Sequence, residues 1–256
     1  MELHDKVAVV TGGTRGIGRG IVRRFRDEGA WVVFTGRDEV RGSQAEEELG
    51  ADGQVRFVAA DVRRRHEVEQ AVDVAVERHG RLDVLVNNAG GAPSLRPVAE
   101  MEEATWHETI AVNLHSVYYA TRRALAYLVP QESGRIITVS SFAGKAGIPC
   151  FGAYAAAKHA VIGLMRSLAQ EVGPRGITAN CVCPGIVVTD LVHQLGADLG
   201  LQTGTSYEQI LDSFLEKTAT GRTTTIEDVA ALAVFLASDR GSGITGQALS
   251  VDGGMT

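Results

Sequence analysis

Short apolar runs, mostly of β-branched residues, recur along the chain and leave room for a helix between them. They cover residues 7–10, 31–35, 55–58, 84–86, 135–139 and 177–182. Because these runs are nearly all apolar rather than alternating, they are typical of strands buried on both faces of a parallel sheet. Alternation of such strands with helical segments predicts a doubly wound α/β fold with right-handed crossovers.

The segments between the runs carry helical spacing. Val68, Ala71, Val72 and Ala75 mark one apolar helix face, and longer helical patterns cover residues 101–128 and 152–172. Residues 190–221 break the alternation and contain no strand pattern. Their residues Leu211, Phe214 and Leu215 indicate a short amphipathic helix. A long insertion after a strand is a typical place for a substrate lid.

Length and charge limit the classes of function. A chain of 256 residues with 45% apolar and 22% charged residues is expected to form one globular domain over residues 1–256. A net charge of −6 gives no electrostatic basis for binding nucleic acid or an anionic membrane.

The start of the chain lacks the basic and apolar stretches of a signal peptide, and no apolar run approaches the length of a membrane span. The three cysteines cannot form a disulfide framework, which favours a cytoplasmic location. Cys181 and Cys183 are expected to be buried structural residues, and no metal site is predicted because the histidines lack ligand spacing.

A glycine-rich turn joins the first strand to a helical pattern. Its sequence is Thr11-Gly12-Gly13-Thr14-Arg15-Gly16-Ile17-Gly18. Glycines at a first βα turn let the backbone approach a pyrophosphate, and the helix N-terminus offers free N–H groups to the anion. This Rossmann-type context predicts a dinucleotide site, although a tight turn without a ligand is the alternative.

The end of the second strand indicates which dinucleotide binds. NAD is held there by a carboxylate about 20 residues after the loop, whereas Arg37 stands at that point in this chain. Arg37 and Arg15 can grip the 2′-phosphate of NADP(H) through charged hydrogen bonds. NADP(H) is therefore the expected cofactor. Asp38 leaves NAD(H) possible, and both arginines could instead be solvated surface residues.

Further motifs follow in a fixed order along the chain. They are Asp61-Val62, Asn87-Asn88-Ala89-Gly90, Asn113, Ser140-Ser141, Tyr154-Ala155-Ala156-Ala157-Lys158, Pro184-Gly185-Ile186-Val187-Val188-Thr189, Ile244-Thr245-Gly246-Gln247 and Val251-Asp252-Gly253-Gly254. With the glycine spacing, this set resembles the short-chain dehydrogenase/reductase family over essentially the whole chain. The resemblance implies a single-domain parallel sheet of about seven strands and commonly a homotetramer. Its interfaces would involve residues 101–128 and 152–172 and the C-terminal strand.

The resemblance also implies a catalytic set of Asn113, Ser141, Tyr154 and Lys158. Tyr154 would exchange a proton with the substrate oxygen, and Lys158, one helical turn later, would lower the pKa of the tyrosine. Ser141 would position the substrate, with Ser140 as the weaker candidate, and Asn113 would hold a water in a proton relay. The expected activity is hydride transfer between the nicotinamide and a ketone or secondary alcohol.

Other residues are carried over as cofactor contacts. The complete expected set is Thr11, Gly12, Thr14, Arg15, Gly16, Ile17, Gly18, Arg37, Asp61, Val62, Asn87, Ala89, Gly90, Tyr154, Lys158, Pro184, Gly185, Ile186 and Thr189. Asp61 would accept from the adenine amino group, with a helix N-cap as the alternative. The backbone of Ile186 would bind the carboxamide.

The substrate pocket is expected to be apolar. Its predicted lining includes Leu95, Ile148, Phe151, Val187 and Leu191. This lining favours an apolar ketone or a 3-oxoacyl thioester. Arg175 could dock an acidic acyl carrier protein, but Glu132 and the negative net charge argue against that partner.

Other functions remain open at this point. The chain could be an NADP(H)-binding sensor or scaffold, an NAD-dependent alcohol or hydroxysteroid dehydrogenase, or a dehydratase or epimerase on the same fold.

Overall fold

The computed structural model describes residues 1–50 and 53–255, including all their side chains except those of residues 191, 202 and 203. Seven parallel strands form one sheet in the order β3-β2-β1-β4-β5-β6-β7. The strands are β1 Val7–Val10, β2 Trp31–Gly36, β3 Val55–Ala59, β4 Val84–Asn87, β5 Gly134–Val139, β6 Ile177–Pro184 and β7 Ala248–Val251. The predicted α/β architecture is confirmed.

Helices cover both faces of the sheet. They are α1 Gly16–Asp27, α2 Glu39–Leu49, α3 Arg65–His79, α4 Glu103–Ile110, α5 Ser116–Gln131, α6 Gly152–Val172, α7 Asp190–Thr203, α8 Tyr207–Leu215 and α9 Ile226–Ala237. One core packs α1 and α9 against the sheet around Phe25 and Phe34, and the other packs α3, α5 and α6 around Leu85 and Ile136. With both faces of the sheet covered, the carboxyl ends of the parallel strands are where a ligand is expected.

The sequence pattern at residues 101–128 contains an interruption. A π-helical turn, Ala111–His115, separates α4 from α5. Such turns are rare and frequently mark functional sites. It holds Asn113, which is fully buried.

The insertion at residues 190–221 contains two helices, α7 and α8, rather than the single short helix predicted. A capping box starts α8, in which Ser206 accepts from the backbone N–H of Gln209 and the Gln209 side chain accepts from that of Ser206. After α8 the chain pairs with the C-terminus, where the backbone N–H of Thr220 donates to the Gly253 carbonyl at 3.1 Å. The insertion therefore lies over the sheet's carboxyl edge.

Candidate active site

A cleft of about 870 Å³ runs along the carboxyl edge of the sheet. Its walls come from the glycine turn, the ends of β2 to β6 and the helices α7 and α8. The charged lining residues are Arg15, Arg37, Asp38, Arg41, Asp61, Lys158 and Asp190. The end beneath α7 and α8 is lined mainly by apolar side chains. The cleft thus joins a charged end to an apolar one.

The glycine turn is shaped to receive a bulky anion. Gly12 has a φ of +70°, and a Cβ on Gly18 would collide with the Gly12 carbonyl oxygen and the Asn88 amide. The N-cap residue of α1, Arg15, makes no side-chain capping bond, and the first turn contains no acidic residue. Free N–H groups and the positive end of the helix dipole therefore face the cleft. These features fit a pyrophosphate, and Thr14, Gly16 and Ile17 also line the cleft.

Three arginines lie at the charged end of the cleft. Arg15 contacts Asp190 through Nη1 and Oδ2 at 3.4 Å. Arg41, which sequence reasoning missed, lies 3.8 Å from Asp38, whose carboxylate also accepts the Arg41 backbone N–H and caps α2. Arg37 forms no ion pair with another described residue. Arg41 could have been found from its position in the first turn after Asp38.

Asp61 has a strong protein partner. Its carboxylate binds the Arg63 guanidinium at 2.6 and 3.0 Å, and this contact holds the pKa of Asp61 below its usual value. The N-cap alternative is wrong for α3, because Arg64 occupies the cap position. An adenine amino group would have to share the carboxylate with Arg63. Val62 lines the cleft beside it.

Two predicted cofactor contacts lie below the cleft lining. The Thr11 hydroxyl accepts the backbone N–H groups of Asn88 and Ala89 at 3.0 and 3.1 Å. Asn87 is buried, and its amide donates to Thr121 and Thr138. These two residues shape the wall that Asn88, Ala89 and Gly90 form. Asn88, whose amide donates to the Gly12 carbonyl at 3.0 Å, is a site residue that sequence reasoning missed.

Ser141, Tyr154 and Lys158 all line the cleft. Tyr154 is hydrogen-bonded to Ser141 and borders the apolar end, where it packs against the cluster that contains Leu195. Ser141 follows β5 and accepts the backbone N–H of Ala143, which fixes its hydroxyl. The Ser140 hydroxyl instead donates to the Lys158 carbonyl at 2.9 Å, so it is committed to the helix α6. The Lys158 Nζ lies 5.5 Å from the centroid of the Tyr154 ring.

The expected effect of Lys158 on Tyr154 is wrong for the cofactor-free protein. Burial raises the pKa of Tyr154 to about 12, opposed only by a hydrogen bond from Ser141. Burial also lowers the pKa of Lys158 to about 8. The Lys158 Nζ donates to the Val139 carbonyl at 2.9 Å instead of approaching the tyrosine hydroxyl. Desolvation, rather than attraction between Tyr154 and Lys158, therefore accounts for both pKa shifts.

Asn113 lies behind Gly90 and outside the cleft lining. Its Nδ2 donates to the carbonyls of Gly91 at 2.6 Å and Thr109 at 2.8 Å, and its Oδ1 accepts the Gly91 backbone N–H at 3.1 Å. A Cβ on Gly90 would come within 2.7 Å of the Asn113 Oδ1 and 3.2 Å of the Lys158 Nζ. Glycine at this position therefore leaves a polar gap between the two side chains.

The segment after β6 closes the cleft from the other side. Pro184, Gly185, Ile186, Val187 and Thr189 all line it. The Ile186 carbonyl accepts the backbone N–H of Thr224 at 2.9 Å, which fixes the backbone of Ile186 beside the cleft.

The apolar end brings together part of the predicted substrate pocket. Phe151 and Val187 line the cleft, whereas Leu95 is buried behind Phe151 and Ile148 lies outside the lining. The side chain of Leu191 falls outside the described residues. Phe142, the first residue of a segment that the sequence places in the pocket, also lines this wall, and its ring meets Phe214 of α8 edge-on at 5.9 Å.

The described ranges contain neither a cluster of metal ligands nor a membrane-spanning helix. No three His, Cys, Asp or Glu side chains among them cluster so as to hold a metal ion. None of the helices in those ranges is long and apolar enough to cross a membrane.

Comparison with known proteins identifies the family. A family model described as enoyl-(acyl carrier protein) reductase matches residues 12–256. The chain is 39% identical to a 3-oxoacyl-[acyl-carrier-protein] reductase of Chlamydia pneumoniae, over 100% of this chain and 99% of the relative. It is 37% identical to a 3beta-hydroxysteroid dehydrogenase of Mediterraneibacter gnavus, over 100% and 96%.

The fold has a close counterpart among solved structures. The crystal structure of gox2181 matches with a TM-score of 0.90 and 31% identity, covering 99% of this chain and 96% of that one. Sequence, fold and relatives agree, and the chain belongs to the short-chain dehydrogenase/reductase family of oxidoreductases that act on ketones and alcohols.

Proposed function

We propose that this protein is an NADP(H)-dependent oxidoreductase that interconverts an apolar ketone and its secondary alcohol, with Tyr154 as the proton donor and acceptor. The observation that carries the proposal is that Ser141, Tyr154 and Lys158 line one cleft with a charged and an apolar end, with Tyr154 hydrogen-bonded to Ser141. A ketone held in the apolar end would present its oxygen to the Ser141 and Tyr154 hydroxyls.

The bound nicotinamide would supply or accept the hydride. The glycine turn and the N-terminus of α1 would hold the pyrophosphate, and Pro184, Gly185, Ile186 and Thr189 would frame the carboxamide. Tyr154, kept protonated by burial, would donate its proton to the substrate oxygen during reduction. Ser141 would orient that oxygen, while Lys158 and the polar gap at Gly90 and Asn113 would return a proton to the tyrosine.

The preference for NADP(H) rests on Arg37 and Arg15. Arg37 forms no ion pair with the rest of the described chain, so its guanidinium can bind a 2′-phosphate without breaking a contact. Asp38 is engaged with α2 and Arg41, which reduces its availability as an acceptor for a ribose hydroxyl.

The substrate is proposed to be an uncharged ketone or a 3-oxoacyl thioester. No Lys or Arg side chain among the described lining residues stands at the apolar end, where Phe142, Phe151, Leu195 and Phe214 dominate. A role with an acidic acyl carrier protein is disfavoured by the net charge of −6 and by the negative charge of Glu132, which lies 3.3 Å from Arg175. Residues 190–221 would act as the lid over this end.

The proposed function includes an oligomeric state and a cellular location. We expect a homotetramer, supported by the half-exposed Trp106 and Tyr118 on α4 and α5. A cytoplasmic location is supported by three free cysteines, two of them buried.

Initial rates with NADPH and NADH, over a panel of acetoacetyl-coenzyme A, ethyl acetoacetate, diacetyl, cyclohexanone and a ketosteroid, test the function. We expect turnover that favours NADPH and falls at least about 100-fold in Tyr154→Phe, since general acid catalysis contributes that much or more. NADPH binding without turnover of any ketone would instead favour a sensor or scaffold.

A further inference from the structure

One of the cleft arginines also contacts the lid. Arg15 belongs to the glycine turn, and Asp190 is the first residue of α7. The two side chains meet through a single pair of atoms, Nη1 and Oδ2, at 3.4 Å. They are 53% and 73% exposed, so the contact is open to solvent. The backbone of Gly16 lies beside Thr189, which places the turn and the start of α7 next to each other.

The contact between Arg15 and Asp190 is of the weak, exchangeable kind. Exposed ion pairs generally contribute only about 0.2–1 kcal/mol. A phosphate dianion can instead accept two parallel hydrogen bonds from a guanidinium, which is a stronger arrangement. Arg15 therefore has two competing partners in reach, the Asp190 carboxylate and any phosphate bound at the charged end.

We propose that Asp190 is a positioning residue that tunes the choice between NADP(H) and NAD(H). By holding Arg15, its carboxylate lowers the affinity for a 2′-phosphate and leaves the affinity for an unphosphorylated ribose unchanged. This inference rests on the proposed function, in which Arg15 binds the 2′-phosphate.

Binding of 2′,5′-ADP and 5′-AMP, which differ only by the 2′-phosphate, is measured by calorimetry at low salt and tests the inference without turnover. Asp190→Asn should tighten 2′,5′-ADP binding about two- to fivefold, the range set by an exposed ion pair, with 5′-AMP binding unchanged. Asp190→Glu should keep the wild-type ratio of the two affinities. Asp198→Asn, which removes the same charge from the same helix, is the matched control and should have no effect.

A double-mutant cycle separates positioning from direct charge repulsion. In an Arg15→Ala background, Asp190→Asn should no longer change 2′,5′-ADP binding. A gain that persists in that background, or no gain in the single variant, overturns the role of Asp190. If Arg15→Ala alone leaves the ratio of the two affinities unchanged, the assignment of Arg15 in the proposed function fails instead.

Discussion

Burial shifts the pKa values of Tyr154 and Lys158 in opposite directions. Desolvation disfavours the charged form of each group, so the pKa of Tyr154 rises to about 12 while that of Lys158 falls to about 8. In the cofactor-free protein Tyr154 is therefore protonated at neutral pH and can donate a proton, but it cannot act as a base.

The shifted pKa of Lys158 predicts a pH dependence of stability. Its folded value of about 8 lies below the ordinary 10.5, so the unfolded state binds more protons between these values. The free energy of unfolding should therefore rise with pH across this window, by about 3 kcal/mol in all. Urea unfolding of the cofactor-free protein at pH 7.5 and 9.5 measures part of this rise.

The comparison with Lys158→Met isolates this contribution. Tyr154, Cys181 and Cys183 have raised pKa values and oppose the rise above their ordinary values, but they are present in both proteins. Lys158→Met should lose this rise in the free energy of unfolding, whereas Lys217→Met, at an exposed lysine, should keep it. If the free energy of unfolding depends on pH in the same way in the wild type and in Lys158→Met, the lowered pKa of Lys158 is wrong.

At the scale of elements, α8 is held by few contacts. It has no buried residue, and its half-buried side chains Ile210, Leu211 and Phe214 line the cleft. The edge-on contact of Phe214 with Phe142 joins it to the segment that carries Ser141. Because removing apolar surface from water is favourable, an apolar ligand that covers this face of α8 would be stabilised by it.

Truncation of Phe214 should therefore lower kcat/KM more for a large ketone than for a small one. Phe214→Ala removes the ring contact and apolar area, and should lower kcat/KM for a ketosteroid about tenfold, mainly through KM. Cyclohexanone, which is too small to span the cleft, should lose less than about twofold. Leu201→Ala, at an 85% exposed residue of α7, is the control. Equal losses of kcat/KM for the ketosteroid and for cyclohexanone would contradict a role of Phe214 in binding large substrates.

The sequence predicted elements well where burial alone decides them. All six apolar runs became strands, because a strand covered on both faces must be continuously apolar. β7 was expected from the family resemblance, since its residues are only partly buried and its pattern is weak. The whole helix α7 was missed, and the π-helical turn at Asn113 has no periodic pattern to reveal it.

At the scale of the whole molecule, site residues could be predicted where a sequence pattern decides their position, and could not be predicted where side-chain placement decides it. Ser141, Tyr154 and Lys158 lie on fixed elements at motif spacing, and the fold brings them to one cleft. The ion pairs of Arg15 with Asp190 and of Asp61 with Arg63, and the edge-on rings of Phe142 and Phe214, depend on side-chain placement. Sequence spacing does not determine such contacts between side chains.

The assembly of the whole molecule provides the last prediction. Trp106 and Tyr118 are large aromatic residues that are 41% and 48% exposed on α4 and α5. Burying them between copies of the chain would explain both. Tyr118→Asp should therefore lower the mass measured by sedimentation velocity from that of four chains to two or one. Val40→Asp adds the same charge at a 71% exposed apolar residue of α2 and should leave the tetramer intact. A wild-type protein that sediments as a single chain would show that these aromatic residues face solvent or another partner.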